Sequence, residues 1–213
     1  MTLNRKYTFL FEAILCSFAL MIFSFFIHYK LPFCLLSVAA LIVPAFFFSR
    51  NLNSLSDLSK IIIGSASIKI ITLFSIAGLL LGILFAVLYR WHLDMTIFPR
   101  SIHLFVIVAA LIGCMEELVF RGFIQDYLKS INSLFSILFS AISHTGYKCF
   151  LFLSPVVTMH INIGFLALWT FIGGILFGTI KHFSKSLMPS LIAHALFDIL
   201  VYAAYLSAPW WVW

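Results

Sequence analysis

Cys114-Met115-Glu116-Glu117-Leu118-Val119-Phe120-Arg121-Gly122 sets three ionisable side chains into an apolar run that extends over roughly 101–128. About 20 predominantly apolar residues suffice for a helix to cross a bilayer. The run is long enough, so its charges are expected inside a membrane. The rest of the chain agrees. Of 213 residues, 63% are hydrophobic and 9% charged, against about 25% charged in soluble domains. So few charges cannot cover a water-facing surface. A soluble enzyme, a disordered chain and a secreted disulfide scaffold are therefore excluded. The expected fold is all-α, a polytopic transmembrane helix bundle of about seven spans, surrounded by lipid.

Working outward, seven hydrophobic segments fall at roughly 8–28, 31–49, 69–90, 101–128, 131–153, 161–181 and 187–207. Lys30-Leu31-Pro32 separates the first two, a polar loop covers 50–60, and Pro99 and Pro189 lie in later breaks. The fifth segment carries His144, Gly146 and Lys148 and then Ser154-Pro155. A helix of about 15 residues ending near His144, then an irregular or re-entrant stretch, is expected there. Arg5 and Lys6 precede the first apolar run, but no small-x-small cleavage site follows. This reads as a retained anchor rather than a signal peptide.

The net charge of +6 comes from 13 Lys and Arg scattered singly between apolar runs, so no nucleic-acid partner is expected. An N-in arrangement puts Arg5, Lys6, Arg50, Lys60, Lys69, Lys129, Lys181 and Lys185 inside, and Lys30, Arg90, Arg100 and Lys148 outside. The positive-inside rule then favours N-in and C-out. Pro209-Trp210-Trp211-Val212-Trp213 would sit at the outer interface, where Trp is favoured. Cys16, Cys34, Cys114 and Cys149 show no CxxC or CxxH spacing and read as small apolar residues.

Ionisable groups within a span are costly and so become functional candidates. Glu117 and Arg121 lie at i,i+4 and can pair, which leaves Glu116 on the next face. An acid held in an apolar medium favours its neutral form, which is how general bases are tuned to work near neutral pH. His194 and Asp198 repeat the i,i+4 spacing, and His144 stands on a separate helix. From the expected span ends, Glu116 and His144 each lie about 20 Å deep, His194 about 12 Å and Asp198 about 18 Å. The three helices thus bring these groups to similar depth. Glu12 has no partner in the sequence pattern and is expected to snorkel past Arg5 and Lys6 to the interface.

Glu116-Glu117-x-x-x-Arg121, a His on the next helix and His194-x-x-x-Asp198 on the last together resemble the CPBP family. This family holds the CAAX prenyl endopeptidases and related bacteriocin-processing or immunity proteins. Phe171-Ile172-Gly173-Gly174-Ile175-Leu176-Phe177-Gly178 and Met188-Pro189-Ser190-Leu191-Ile192-Ala193-His194-Ala195 are similar to its closing region. The family's second motif is usually FxxxH; here Ser140 stands four before His144, with Phe139 one residue earlier. Asp198 stands where many relatives have Asn. The resemblance implies a catalytic core at 101–213 after N-terminal helices of unassigned role at 1–100. It also implies a glutamate-type intramembrane endopeptidase of the bacterial cytoplasmic membrane, acting on a membrane-associated peptide or protein. Glu116 would be the general base, His144 would hold the water, and His194 with Asp198 would stabilise the oxyanion. Glu117 and Arg121 would brace the site. A carboxylate suits an oxyanion site poorly, so Asp198 is expected to set the tautomer of His194, which then donates. No cofactor and no metal is expected. Three other readings compete: a metal-dependent hydrolase using Glu116, His144 and His194, a non-catalytic immunity or assembly factor, and a proton-coupled transporter.

Overall fold

The computed structural model describes residues 3–52, 54–157 and 162–206. Regular structure among these residues is entirely helical. The helices are α1 (Leu3–Phe26), α2 (Cys34–Asn51), α3 (Leu55–Ile63), α4 (Ile68–His92), α5 (Phe105–Glu117), α6 (Asp126–Lys129), α7 (Ser133–Leu153), α8 (Ile163–Ser184) and α9 (Met188–Tyr202). Leu118–Gln125 joins α5 to α6 as a π-helical stretch. Three stretches, Lys6–Phe26, Ile68–His92 and Ile163–Ser184, are each long and apolar enough to cross a membrane. Cys34–Arg50 and Met188–Tyr202 are shorter apolar helices. The protein is an integral membrane protein, and exposed side chains such as Phe11, Phe18, Leu73 and Leu80 face lipid rather than water. The Trp-rich tail and His160 lie outside the described residues.

Two segments depart from the sequence reading. The fifth does not break near His144: α7 runs 21 residues to Leu153, about 31 Å. Asn132 opens it by accepting the Phe135 N–H at 2.9 Å, the usual N-cap bond. Thr145 returns its hydroxyl to the Ala141 carbonyl at 2.8 Å. These polar residues are thus absorbed into the helix, which ends at Ser154-Pro155, where proline cannot continue it. The loop at 50–60 is also shorter than expected, because Leu55–Ile63 forms the short helix α3.

The chain divides into two compact units. The first comprises residues up to 58 and residues 123–175. There α1 packs on α2 and α7. Ala13, Cys16, Ala19 and Leu20 form its buried stripe at helical spacing. The Ser17 hydroxyl meets that of Ser143 at 2.9 Å, and Gly146 leaves room for Met21. Glu12 does not snorkel. It is buried, and Arg50 Nη2 donates to both its carboxyl oxygens at 2.8 and 2.7 Å. Arg50 also lies 5.3 Å from the Phe47 ring centroid. A partner 38 residues away is a tertiary fact that span depth cannot reveal.

The second unit comprises residues 59–122 and 176–213. Within it, α9 packs on α4 and α5. Helices approach this closely only where side chains are small. A Cβ at Gly78 would strike the Pro189 carbonyl, and one at Gly82 that of Ala193. At the start of α9 the Leu187 N–H and the Ser186 hydroxyl donate to the Ile62 carbonyl at 2.9 and 3.0 Å. Gly64, with φ +74°, lies so close to the Lys185 carbonyl that only glycine fits. At the far end, Arg90 is 2% exposed. It donates to the Leu200 carbonyl at 2.8 Å and the Thr96 carbonyl at 2.7 Å. Helix α9 is therefore held at both ends and along its length.

Candidate active site

Five ionisable side chains meet in the second unit. Gly113, Glu116 and Glu117 share the buried face of α5 because the spacing is three and four residues. Arg121 follows one turn later in the π-helical stretch, and π turns inside helices frequently mark functional sites. Arg121 Nη1 lies 3.0 Å from Glu117 Oε1, and both side chains are 0% exposed. Such a pair survives burial only when each charge compensates the other.

From α9, His194 turns toward these acids. Its Nδ1 lies 2.9 Å from the same Glu117 Oε1. A carboxylate only accepts, so Nδ1 carries a proton. The opposite nitrogen, Nε2, faces Glu116 Oε2 at 3.9 Å and Asp198 Oδ2 at 3.7 Å. Both gaps exceed a direct hydrogen bond and fall within reach of one bridging water. Asp198 thus lies on the Nε2 side of the ring, and Glu117 on the Nδ1 side. The i,i+4 spacing brings Asp198 near the ring, and Nδ1 makes its hydrogen bond to Glu117. A helical neighbour at i+4 is adjacent; a carboxylate on the facing helix can point straight along the N–H.

Aromatic rings wall this cluster. The Phe177 ring of α8 lies 5.4 Å from His194, and Phe85 of α4 lies 6.1 Å from Phe177 and 5.1 Å from Phe197. Gly113 was missed in the sequence, although it stands one turn before Glu117. Nothing in its apolar surroundings marks it, because its neighbours come from another helix.

His144 belongs to the first unit. It is buried on α7, its ring stacked 6.5 Å from Tyr147. Ser140, which replaces the family's usual Phe, is buried as well, while Phe139 is half-buried. Among the described residues no group of three or more His, Cys, Asp or Glu is disposed to hold a metal ion.

A family model described as type II CAAX prenyl endopeptidase Rce1-like matches residues 98–200. This segment is similar to that family. The Rce1-like segment runs from the approach to α5 to Leu200 in α9 and contains Glu116, Glu117, Arg121, His144, His194 and Asp198. Helix α4, with Gly78, Gly82, Phe85 and Arg90, lies outside it. The Rce1-like family is one of peptidases. No curated protein and no solved structure gives a significant match to the chain.

Proposed function

We propose that the protein is an intramembrane endopeptidase that hydrolyses a peptide bond of a membrane-associated peptide or protein with a glutamate-activated water. The observation that carries this reading is the 3.9 Å separation of Glu116 Oε2 from His194 Nε2, with the other ring nitrogen held by Glu117. A water shared by these two atoms gives its proton to Glu116 as it attacks the scissile carbonyl. Since Nδ1–H is committed to Glu117, only the imidazolium presents an N–H at Nε2. His194 therefore acts as the cation and donates to the developing oxyanion, a preorganised donor of the kind that contributes most to acyl-transfer catalysis.

Charge balance supports this assignment. Three carboxylates face Arg121 and the imidazolium, leaving one negative charge. Proton transfer to Glu116 removes that charge as the oxyanion forms. The protonated Glu116 then returns its proton to the leaving amine. Asp198 supplies counter-charge on the Nε2 side of His194, and Glu117 with Arg121 braces the ring. A water-holding role for His144 rests on the family resemblance alone. Residues 101–213 carry the chemistry, and α4 from the preceding part holds α9.

The Rce1-like description points to a prenylated C-terminal peptide as the first substrate to try. The purified full chain in lipid vesicles is incubated with a farnesylated peptide ending in the Cys-aliphatic-aliphatic-x pattern, its unprenylated twin and an unrelated apolar peptide. Cleavage is read by mass spectrometry. Glu116→Gln keeps size and hydrogen bonding but removes the base, so turnover should fall about 10²–10⁴-fold with yield and peptide binding unchanged. Undiminished cleavage by Glu116→Gln would overturn the reading. Loss of activity in a chelator would instead favour a metal-dependent hydrolase.

A further inference from the structure

We propose that Gly113 is a positioning residue of this site, and that its missing side chain sets the separation between α9's His194 and Asp198 and α5's Glu116 and Glu117. The inference rests on the endopeptidase reading for its catalytic part and on geometry for the rest. Gly113 is buried on the face of α5 that carries both glutamates. A Cβ built there would collide with Asp198 Oδ2, and would lie 3.1 Å from His194 Cδ2 and 3.3 Å from His194 Cγ. The space where a methyl group would stand is therefore filled by the two α9 side chains.

No other side chain could stand there without moving them. Neither α9 nor α5 has slack to absorb the change. On its α4 side, α9 already touches backbone at Gly78 and Gly82, and Arg90 ties its last turn to Thr96. Glu117 is held by Arg121. Displacement must therefore fall on the side chains themselves. The collision with Asp198 is the more severe, so its carboxyl moves first, while His194 must give by a few tenths of an ångström. Reacting groups misplaced by about 1 Å lose about 10²-fold in rate.

The test is a double-mutant cycle in the detergent-solubilised full chain: wild type, Gly113→Ala, Asp198→Ala and the double variant. Asp198→Ser replaces Asp198→Ala if the latter does not fold. Two quantities are measured, the midpoint of thermal unfolding and the cleavage kinetics on the peptide that the wild type hydrolyses. Gly113→Ala is expected to lower the midpoint in the wild-type background, and shortening residue 198 should remove at least half of that loss. Equal losses in both backgrounds, or none, would overturn the pairing of Gly113 with Asp198. Should Gly113→Ala fail to fold, recovery of folding in the double variant supports the proposal and failure of both sinks it. In kinetics, Gly113→Ala should lower kcat per folded molecule, by up to about 10²-fold, with little change in KM, a split that simple loss of folded protein does not produce. Unchanged kcat would overturn the positioning role. If the wild type cleaves none of the peptides, the endopeptidase reading loses its support, while the unfolding cycle still decides whether Gly113 sets the position of Asp198.

Discussion

Glu117 Oε1 accepts from two donors, Arg121 Nη1 at 3.0 Å and His194 Nδ1 at 2.9 Å. One oxygen therefore ties charge balance to ring orientation, and the two acids of the motif should respond differently to mutation. Glu117→Gln leaves Arg121 without its counter-charge in a fully buried setting, at a cost of roughly 3–5 kcal/mol. Thermal unfolding should show a lowered midpoint, with turnover falling alongside it, whereas Glu116→Gln loses turnover alone. Adding Arg121→Met to Glu117→Gln should restore part of the stability, since replacing a buried pair by apolar groups is often tolerated. It should not restore cleavage, because Nδ1 still lacks its carboxylate. Recovery of both would reduce Glu117 to an ion-pair partner. Glu116, Glu117, Arg121, His194 and Asp198 were legible in the sequence because charges in apolar runs are conspicuous. The Glu117–His194 bond was not: i,i+4 spacing pointed to Asp198, and the partner at Nδ1 comes from a facing helix. Gly113 was silent for the same reason.

Helix α9 carries His194 and Asp198, yet its placement depends on α4, whose residues lie outside the Rce1-like match. Arg90 makes this dependence testable. It gives N–H groups to the Leu200 carbonyl, the Thr96 carbonyl and, at 3.2 Å, the Thr96 hydroxyl. It lies in the last turn of α4 and bonds a carbonyl in the last turn of α9, where positive charge is favoured. Bonds to charged groups contribute about 1.5–3 kcal/mol each. Arg90→Leu should therefore lower the unfolding midpoint and speed hydrogen exchange in the last turn of α9. Arg90→Lys, which keeps charge but not the planar fork, should recover only part of this. Normal exchange protection at residues 199–202 in Arg90→Leu would remove Arg90 as a clamp. Each hydrophobic segment contains a helix, but His144, Gly146 and Lys148 suggested a break where α7 continues. Polar residues interrupt an apolar pattern without interrupting a helix when a Gly receives Met21 and a hydroxyl bonds the preceding turn.

For the whole molecule, the open quantity is the number of crossings, since it sets which side each loop faces. Length no longer counts against the fifth segment, because α7 reaches about 31 Å, close to the hydrocarbon thickness of about 30 Å. The orientation rests on the basic bias of the sequence. Arg50 is engaged by Glu12, Lys181 and Arg90 are buried, and Lys148 lies within α7. With those four set aside, six basic residues remain on the inner side and two on the outer. We therefore expect seven crossings, with the N-terminus in and the C-terminus out, the orientation that the positive-inside rule favours. A phosphatase that works only outside the cytoplasm should be active when fused after Trp213 and inactive when fused after Ser130. A thiol reagent that cannot cross the membrane should label a cysteine placed at Asp94 and spare one placed at Lys185 in intact cells. Labelling of Lys185→Cys with sparing of Asp94→Cys would invert the orientation. Activity at neither fusion site, with Asp94→Cys still labelled, would locate the error after residue 130 and leave the first four crossings in place.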